Sequence, residues 1–583
     1  MIRLQHPSVR IALLVLAIWV SAGLLPASEV PYGHPDFYPS PDKPAQLRGD
    51  GTGYFPGATP VDSFDFRTKE NIVWACRLPG WGFSSPIVVG DKAFVTCDWN
   101  TLICIDVRTG EVLWAKDNHT FDLVGDNQAD ELRQIFDQLT IPWLEAWQVL
   151  FERAYIEREI DLIEAARAGK PLKPRPSMRK GKVRDRDDWG GLCPGDHLTE
   201  KEIAGLLAQA KRVEDATLEA LKERHTILGK QIEDNQLGPQ TSGYVPLLCP
   251  YSRDSEKEEA FKKSQLPCGK SVDDALRHLA KHGIVFEIWN GWMGRSFSTP
   301  VSDGTNVYAQ FGQHQVVCYD LAGNRQWIKV YTDEETRSYR QNDSASPLLI
   351  GDKLIVLRGG GEHKPKAHTY IRAVDKTNGE ELWSQRLDYV MTSHTFPNQT
   401  PVHVDGIDLV ATSAGHILRV DDGTIVMKDL PAPIAPPLVV GNEVYLTCGR
   451  GQSNGHGSRM KITLNRVDDK IVGTIDWAYI VDDSKAKRWV EAAKTYAPDL
   501  ALGTLDKNDP VSNVSALLID DKLVIHGGIY DASTGTVIQD FDRGPGATGN
   551  LIRTGNDLIF TTANHRDTPV YHVANLGKPK AHP

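Results

Sequence analysis

Seven times along the chain a short phrase returns in which a small residue, usually followed by proline, leads into an alternating apolar strand, a Gly or Asp turn and a second strand. The copies open at Ser84-Ser85-Pro86, Ser298-Thr299-Pro300, Ala345-Ser346-Pro347, Gln399-Thr400-Pro401, Ala435-Pro436-Pro437, Val514-Ser515-Ala516 and Gly549-Asn550-Leu551. A unit of about four strands cannot bury both faces alone, so copies of it must stack on one another.

Several copies share an ending. Asp106, Thr109, Gly110 and Trp114 stand in the same frame as Asp375, Asn378, Gly379 and Trp383, and Asp320, Gly323 and Trp327 repeat it one residue shorter. The residue types explain the frame. Asp closes the third strand with a side-chain-to-backbone bond, Gly takes the positive φ of the turn, and Trp on the fourth strand offers a flat apolar surface to the next unit. Asp531 to Gly535 keeps the turn without a Trp at the expected place, and Val420 to Gly423 keeps less. The expected fold is all-β: a seven-bladed, alternatively eight-bladed, β-propeller of four-stranded antiparallel blades with a large helical insertion.

The 583 residues are 40% hydrophobic and 24% charged, ample for a large core. A net charge of −11 argues against a nucleic-acid surface, and the densest basic stretch, Lys170 to Arg186, is Pro-rich and reads as a solvated loop. Residues 1–28 read as an export signal: Arg3 and Arg10 precede an apolar run from Ile11 to Val20, and Ser21, Ala22, Gly23 and Ala27 follow. An uncleaved anchor is the alternative, but the run is about half the roughly 20 residues needed to span a bilayer. With no cysteine before Cys76, no lipid anchor is expected. The expected location is periplasmic or secreted.

Eight cysteines are too few for a disulfide framework, and Cys249 with Cys268 is the most plausible local pair. No Cys-x-x-Cys-His occurs, so no c-type haem is indicated. Cys193 and His197 have a metal-ligand spacing, but an isolated pair of that kind is usually a loop coincidence. The Gly-rich loops at 359–363 and 449–457 lie between strands, so neither qualifies as a phosphate cradle.

Residues 29–68 read as an extended lead-in, and 69–115 with 292–583 as the repeat region. The strand around Trp74 is expected to complete the last unit beside Tyr571, so that the chain ends close the ring. Residues 116–291 read as a helical insertion in a loop, with helical periodicity over 130–139, 143–166 and 199–234; 484–506 reads as a shorter one. Each insertion serves as a lid or partner surface, or packs over the exterior. Both readings stand at this point.

The Ser-Pro-Ile-Val-Val-Gly-Asp phrase at 85–91 and the Asp-x-x-Thr-Gly-Glu-x-x-Trp frame at 106–114 resemble the pyrroloquinoline-quinone-like propeller family. The resemblance implies one of two roles. One is a quinoprotein dehydrogenase of an alcohol or sugar, with the quinone and a calcium ion at the centre of the ring. The other is a non-catalytic envelope scaffold, like the propeller lipoprotein of the outer-membrane assembly machinery. The dehydrogenase chemistry needs oxygen ligands for the metal, a platform for the quinone and a carboxylate base. No adjacent cysteine pair occurs, and no family ligand maps onto a matching position. No catalytic or metal residue is therefore assigned, and quinone and calcium rest on the resemblance alone. Polar residues ahead of the innermost strands, Arg295, Arg340, Asn342, Asp343, His394, Asn398 and Asn513, are candidates for lining a small-ligand site at the axis, or else are turn-formers. The expected function is a binding or assembly scaffold. Its partner would be another envelope protein or a small ligand at the axis.

Overall fold

The computed structural model describes residues 36–58, 69–80, 84–171, 200–234, 262–282, 298–311, 315–331, 345–358, 369–387, 398–433, 435–450, 456–481, 486–505, 515–525, 528–540, 551–554, 557–560, 570–572 and 581–582, with Tyr32, His34, Gly82 and Glu259 beside them. Each repeat phrase opens a sheet whose strands follow one another as antiparallel neighbours. Seven such sheets are present among the described residues, spanning 87–117, 301–330, 348–387, 399–427, 438–505, 517–540 and 551–582, and are numbered sheets 1 to 7 in that order. Sheets 1, 2, 3, 4 and 6 have four strands. Sheet 5 gains a parallel fifth strand, Gly503–Leu505, and sheet 7 gains Tyr54–Phe55 from the lead-in. This is a mostly β chain built as a β-propeller is built.

The small-residue–proline phrase has a structural reason. The backbone N–H of Ser85 donates to Thr299 Oγ1 (3.2 Å), that of Thr299 to Ser346 Oγ (3.1 Å) and that of Ser346 to Asn398 Oδ1 (3.4 Å). One polar side chain at the start of each first strand thus ties sheets 1, 2, 3 and 4 in sequence. The following proline, which has no N–H to leave unpaired, suits a strand at a sheet edge.

At the other edge the indoles dock. Trp74, Trp114, Trp327, Trp383 and Trp477 donate Nε1–H to the carbonyls of Val107, Leu321, Lys376, Val420 and Ala532, at 2.6 to 3.2 Å. Each ring lies on the turn glycine of the sheet it reaches, Gly110, Gly323, Gly379, Gly423 or Gly535, where a Cβ would come within 2.6–3.0 Å of it. All five glycines have φ between 71° and 88°, so both space and conformation demand glycine. The weakest copy keeps its dock: Arg419 stands where other copies have Asp, and Asp422 Oδ1 accepts from Thr424 N–H instead. Met427, four residues after Gly423 where other copies place Trp, packs its sulfur on Gly473, itself four residues before Trp477. Between these edges, separate apolar clusters fill the junctions of sheets 1 with 2, 2 with 3, 3 with 4, 4 with 5 and 5 with 6.

One expectation is corrected. Residues 72–78 form no strand, and the neighbour of Val570–His572 on the far side from Asp557–Phe560 is Ala581–His582. Trp74 still docks on sheet 1, but from a segment held by its side chain rather than by a ladder. The carboxylates of Glu70 and Glu152 bind Arg212 and Arg77, and Arg224 makes two bonds to Glu152 (2.7 and 3.0 Å), so the helical insertion packs beside this segment.

The insertion holds helices α1 (Asp126–Ala168), α2 (Glu200–Ala210), α3 (Asp215–Asp234) and α4 (Val272–Lys281). Where the periodicity predicts two helices, α1 runs unbroken through Pro142 for 43 residues. Its root is a cluster of Trp99, Phe121, Phe136 and Leu279; a second cluster around Leu162, Leu206 and Leu218 joins α1, α2 and α3. The shorter insertion carries α5 (Lys487–Tyr496), which buries Trp489 in the core of sheets 4 and 5. Cys249 lies outside the described residues, and Cys268 is a free thiol.

Candidate functional site

Of the seven polar residues singled out by position, Arg295, Arg340, Asn342, Asp343, His394 and Asn513 lie outside the described residues. Asn398 is described, and it is a tie between sheets. Its Oδ1 accepts from Ser346 N–H, and its own N–H donates to Ser413 Oγ at 2.8 Å.

What gathers at the first strands is the lead-in. Phe37 O accepts from Gly90 N–H (3.0 Å) in the first hairpin turn of sheet 1, and Pro39 O lies against Gly304 in the same turn of sheet 2. The chain then climbs antiparallel to the first strand of sheet 2, with Ala45 and Ser302 exchanging both backbone hydrogen bonds at 2.9 Å. It turns at Gln46–Gly49 and descends as Tyr54–Phe55, parallel to Leu551–Thr554 of sheet 7. A re-entrant hairpin therefore fills the space bounded by the first strands.

The tip is a strained, glycine-spaced turn. Arg48 adopts φ 62°, followed by Gly49, Gly51 and Gly53 at 69°, 92° and 75°. Gly53 is required by contact as well as by φ, because a Cβ there would overlap the Arg48 guanidinium. Arg48 itself is buried, 6% exposed. Its Nη2 donates to Thr52 O (2.8 Å) and to Ala516 O (3.0 Å), the latter at the start of sheet 6. Burial pulls its pKa down to about 10, with the charge of Asp50 pulling the other way.

Below the tip is a small chamber lined by Gln46, Arg48, Ser346, Gln399, Thr400 and Pro436, so that groups from sheets 3, 4 and 5 face the hairpin. Thr400 Oγ1 donates to Pro437 O (2.7 Å), and Gln399 Nε2 donates to Ser346 O and Ile355 O, both at 3.0 Å. This donor set does not suit calcium, which calls for several carboxylate or carbonyl oxygens and no adjacent cation. The lining offers a guanidinium and two amides, and no group of three or more His, Cys, Asp or Glu with metal-site spacing occurs among the described residues. This chamber is also too small for a quinone.

The sequence carries one signal for this arrangement. In 48–53 glycine takes every second place, a spacing that marks close backbone approach rather than a flexible lead-in.

No protein family matches the chain, and no curated protein matches it. Solved structures do. BamB from Moraxella catarrhalis is 16% identical over 47% of this chain and 71% of its own, with a TM-score of 0.29. A europium-containing methanol dehydrogenase is 9% identical over 92% of this chain and 84% of its own, at 0.32. The quinohemoprotein alcohol dehydrogenase ADHIIG from Pseudomonas putida HK5 is 8% identical over 91% and 76%, at 0.29. These likenesses are too distant to transfer a function. No helix among the described residues is long and apolar enough to cross a membrane.

Proposed function

We propose that the chain is an exported, seven-bladed β-propeller that serves as a binding or assembly scaffold in the cell envelope. The observation that carries this reading is the hairpin at 45–55, which puts the chain's own backbone and Arg48 where an axial cofactor would need room. Protein contact then falls to the outer surface. The helical insertion supports such a role, since Ile141 and Ile227 stand on it 47% and 44% exposed. The export-signal pattern read in residues 1–28 supports an envelope location.

Two measurements test the reading. Purified protein titrated with pyrroloquinoline quinone and calcium is expected to show no saturable cofactor absorbance and no dye-linked alcohol or sugar oxidation. Saturable binding with turnover replaces the scaffold by a quinoprotein dehydrogenase. A photo-crosslinker at Ile141 or Ile227 in intact cells is expected to give one discrete adduct with an envelope protein; adducts of no defined mass count against it.

A further inference from the structure

The seam between α1 and α4 holds a pair of imidazoles that a scaffold role does not use. His278 and His282 stand four residues apart at the C-terminal end of α4, so they share one face of that helix. Their ring centres are 5.4 Å apart. Two imidazoles bound through nitrogen to one tetrahedral ion, at about 2.0–2.1 Å per bond, have ring centres about 5 Å apart. The pair already stands at chelating separation.

Hydrogen bonding leaves both Nε2 atoms open to a ligand. His278 Nε2 is buried and finds no hydrogen-bond partner, and the carboxylate of Glu131 on α1 faces it at 3.6 Å, beyond hydrogen-bond reach. His282 Nε2 faces the side-chain nitrogen of Gln128, three residues earlier on α1, at 3.4 Å. An amide nitrogen only donates, so the imidazole presents a lone pair there. Glu131 also holds Lys270 at 3.3 Å, which keeps it as a neighbouring negative charge and not a third ligand; the site is a pair, short of a three-ligand group. Arg277 is neutralised by Asp273 and Asp274, while Lys281 stays exposed. The last turn of a helix carries partial negative charge on its free carbonyls, which favours a cation at this end of α4.

We propose that His278 and His282 form a site for a divalent transition-metal ion of the zinc or copper(II) class, bound through both Nε2 atoms, with water in the remaining positions and Glu131 as the adjacent counter-charge. Imidazole suits this class, whereas calcium and magnesium call for oxygen ligands. The site is independent of the scaffold role, and each survives the failure of the other.

The test is equilibrium dialysis of the untagged full chain against micromolar zinc at neutral pH, with millimolar calcium present to occupy oxygen sites. His278→Ala and His282→Ala are each expected to bind one equivalent of zinc fewer than wild type, the affinity of that site falling at least about tenfold. His403→Ala, which removes an exposed imidazole paired with Asp408, is the control and is expected to bind as much zinc as wild type. Copper(II) is expected to displace the zinc of this site, as its place in the affinity order requires. Unfolding midpoints in the presence of a chelator report whether the variants fold, and added zinc is expected to raise the midpoint of wild type more than that of either variant. Should His278→Ala not fold, His282→Ala, at the end of the helix, decides alone. No zinc bound by wild type, full zinc binding in the folded variants, or a loss in only one of two folded variants overturns the proposal.

Discussion

Trp327→Phe separates the indole N–H from the apolar area of the ring. The bond to Lys376 O disappears while most of the contact with Gly379 stays, so the expected cost is about 1–2 kcal/mol, against about 3–5 kcal/mol for Trp327→Ala. Urea unfolding of the two variants reads the difference. Nearby, Asp303 binds the ammonium of Lys376 at 2.9 Å, joining sheets 2 and 3 with both side chains largely buried. Burial alone would raise the Asp303 pKa, but the N–H of Asn306, then Lys376 and the N–H of Thr305, outweigh it and hold it below the usual carboxylate value. A depressed folded-state pKa gives stability that is present above the unfolded value, near 4, and is lost as pH falls through the folded one. Asp303→Asn leaves Lys376 buried without its charge partner, so it is expected to cost about 3 kcal/mol at pH 7. In urea titrations repeated down to pH 3, the gap from wild type narrows. A gap that stays constant with pH removes the ion pair from the account.

At the scale of elements, the docking frame was legible where Asp, Gly and Trp all survive, as at 106–114 and 375–383, because each residue type answers a separate local demand. It was obscured where a substitution changed the means and kept the result. Met427 does the work of an indole, and Asp422 serves a turn whose usual Asp position holds Arg419. Helix α1 defeats a local reading differently: a proline ordinarily ends a helix, yet Pro142 sits inside one that is anchored at both ends by packing. The root of that insertion hangs on Asp122, whose side chain is 7% exposed and accepts from Arg133 Nη2 (3.0 Å) and Arg325 Nη1 (2.7 Å). Arg325 belongs to sheet 2, so this carboxylate clamps the insertion to the sheets. Asp122→Ala is expected to raise amide exchange in the first turns of α1 and at Thr120–Leu123 while leaving sheets 3 and 4 unchanged. Uniform exchange across the chain would show that the insertion is not a separable unit.

At the scale of the whole molecule, the seven repeat phrases carry the sheets but not what stands between them. Sequence reading placed candidate ligand groups ahead of the first strands, and the one described among them, Asn398, is a tie; the residues facing the chamber come instead from the lead-in and from the starts of sheets 3, 4 and 5. Such a contact is invisible to periodicity, since Arg48 meets Ala516 only once the sheets have assembled. The hairpin nonetheless joins distant parts: Ser302 N–H bonds to Ala45 O in sheet 2, and Arg553 N–H to Gly53 O (2.8 Å) in sheet 7. Gly53→Ala tests that link. The substitution brings both the φ penalty, about 1 kcal/mol, and an overlap with the Arg48 guanidinium, which must then give up its bonds to Thr52 O and Ala516 O. Gly351→Ala is the control, having φ 59° and open space around the new Cβ, and should show the φ penalty alone. If the hairpin acts as one pin, Gly53→Ala speeds exchange at Ser302 and at Arg553 together, though they lie in different sheets. Loss of protection at Arg553 alone would mean that the two sides of the hairpin hold independently, and that the lead-in lines the space between the sheets without coupling them.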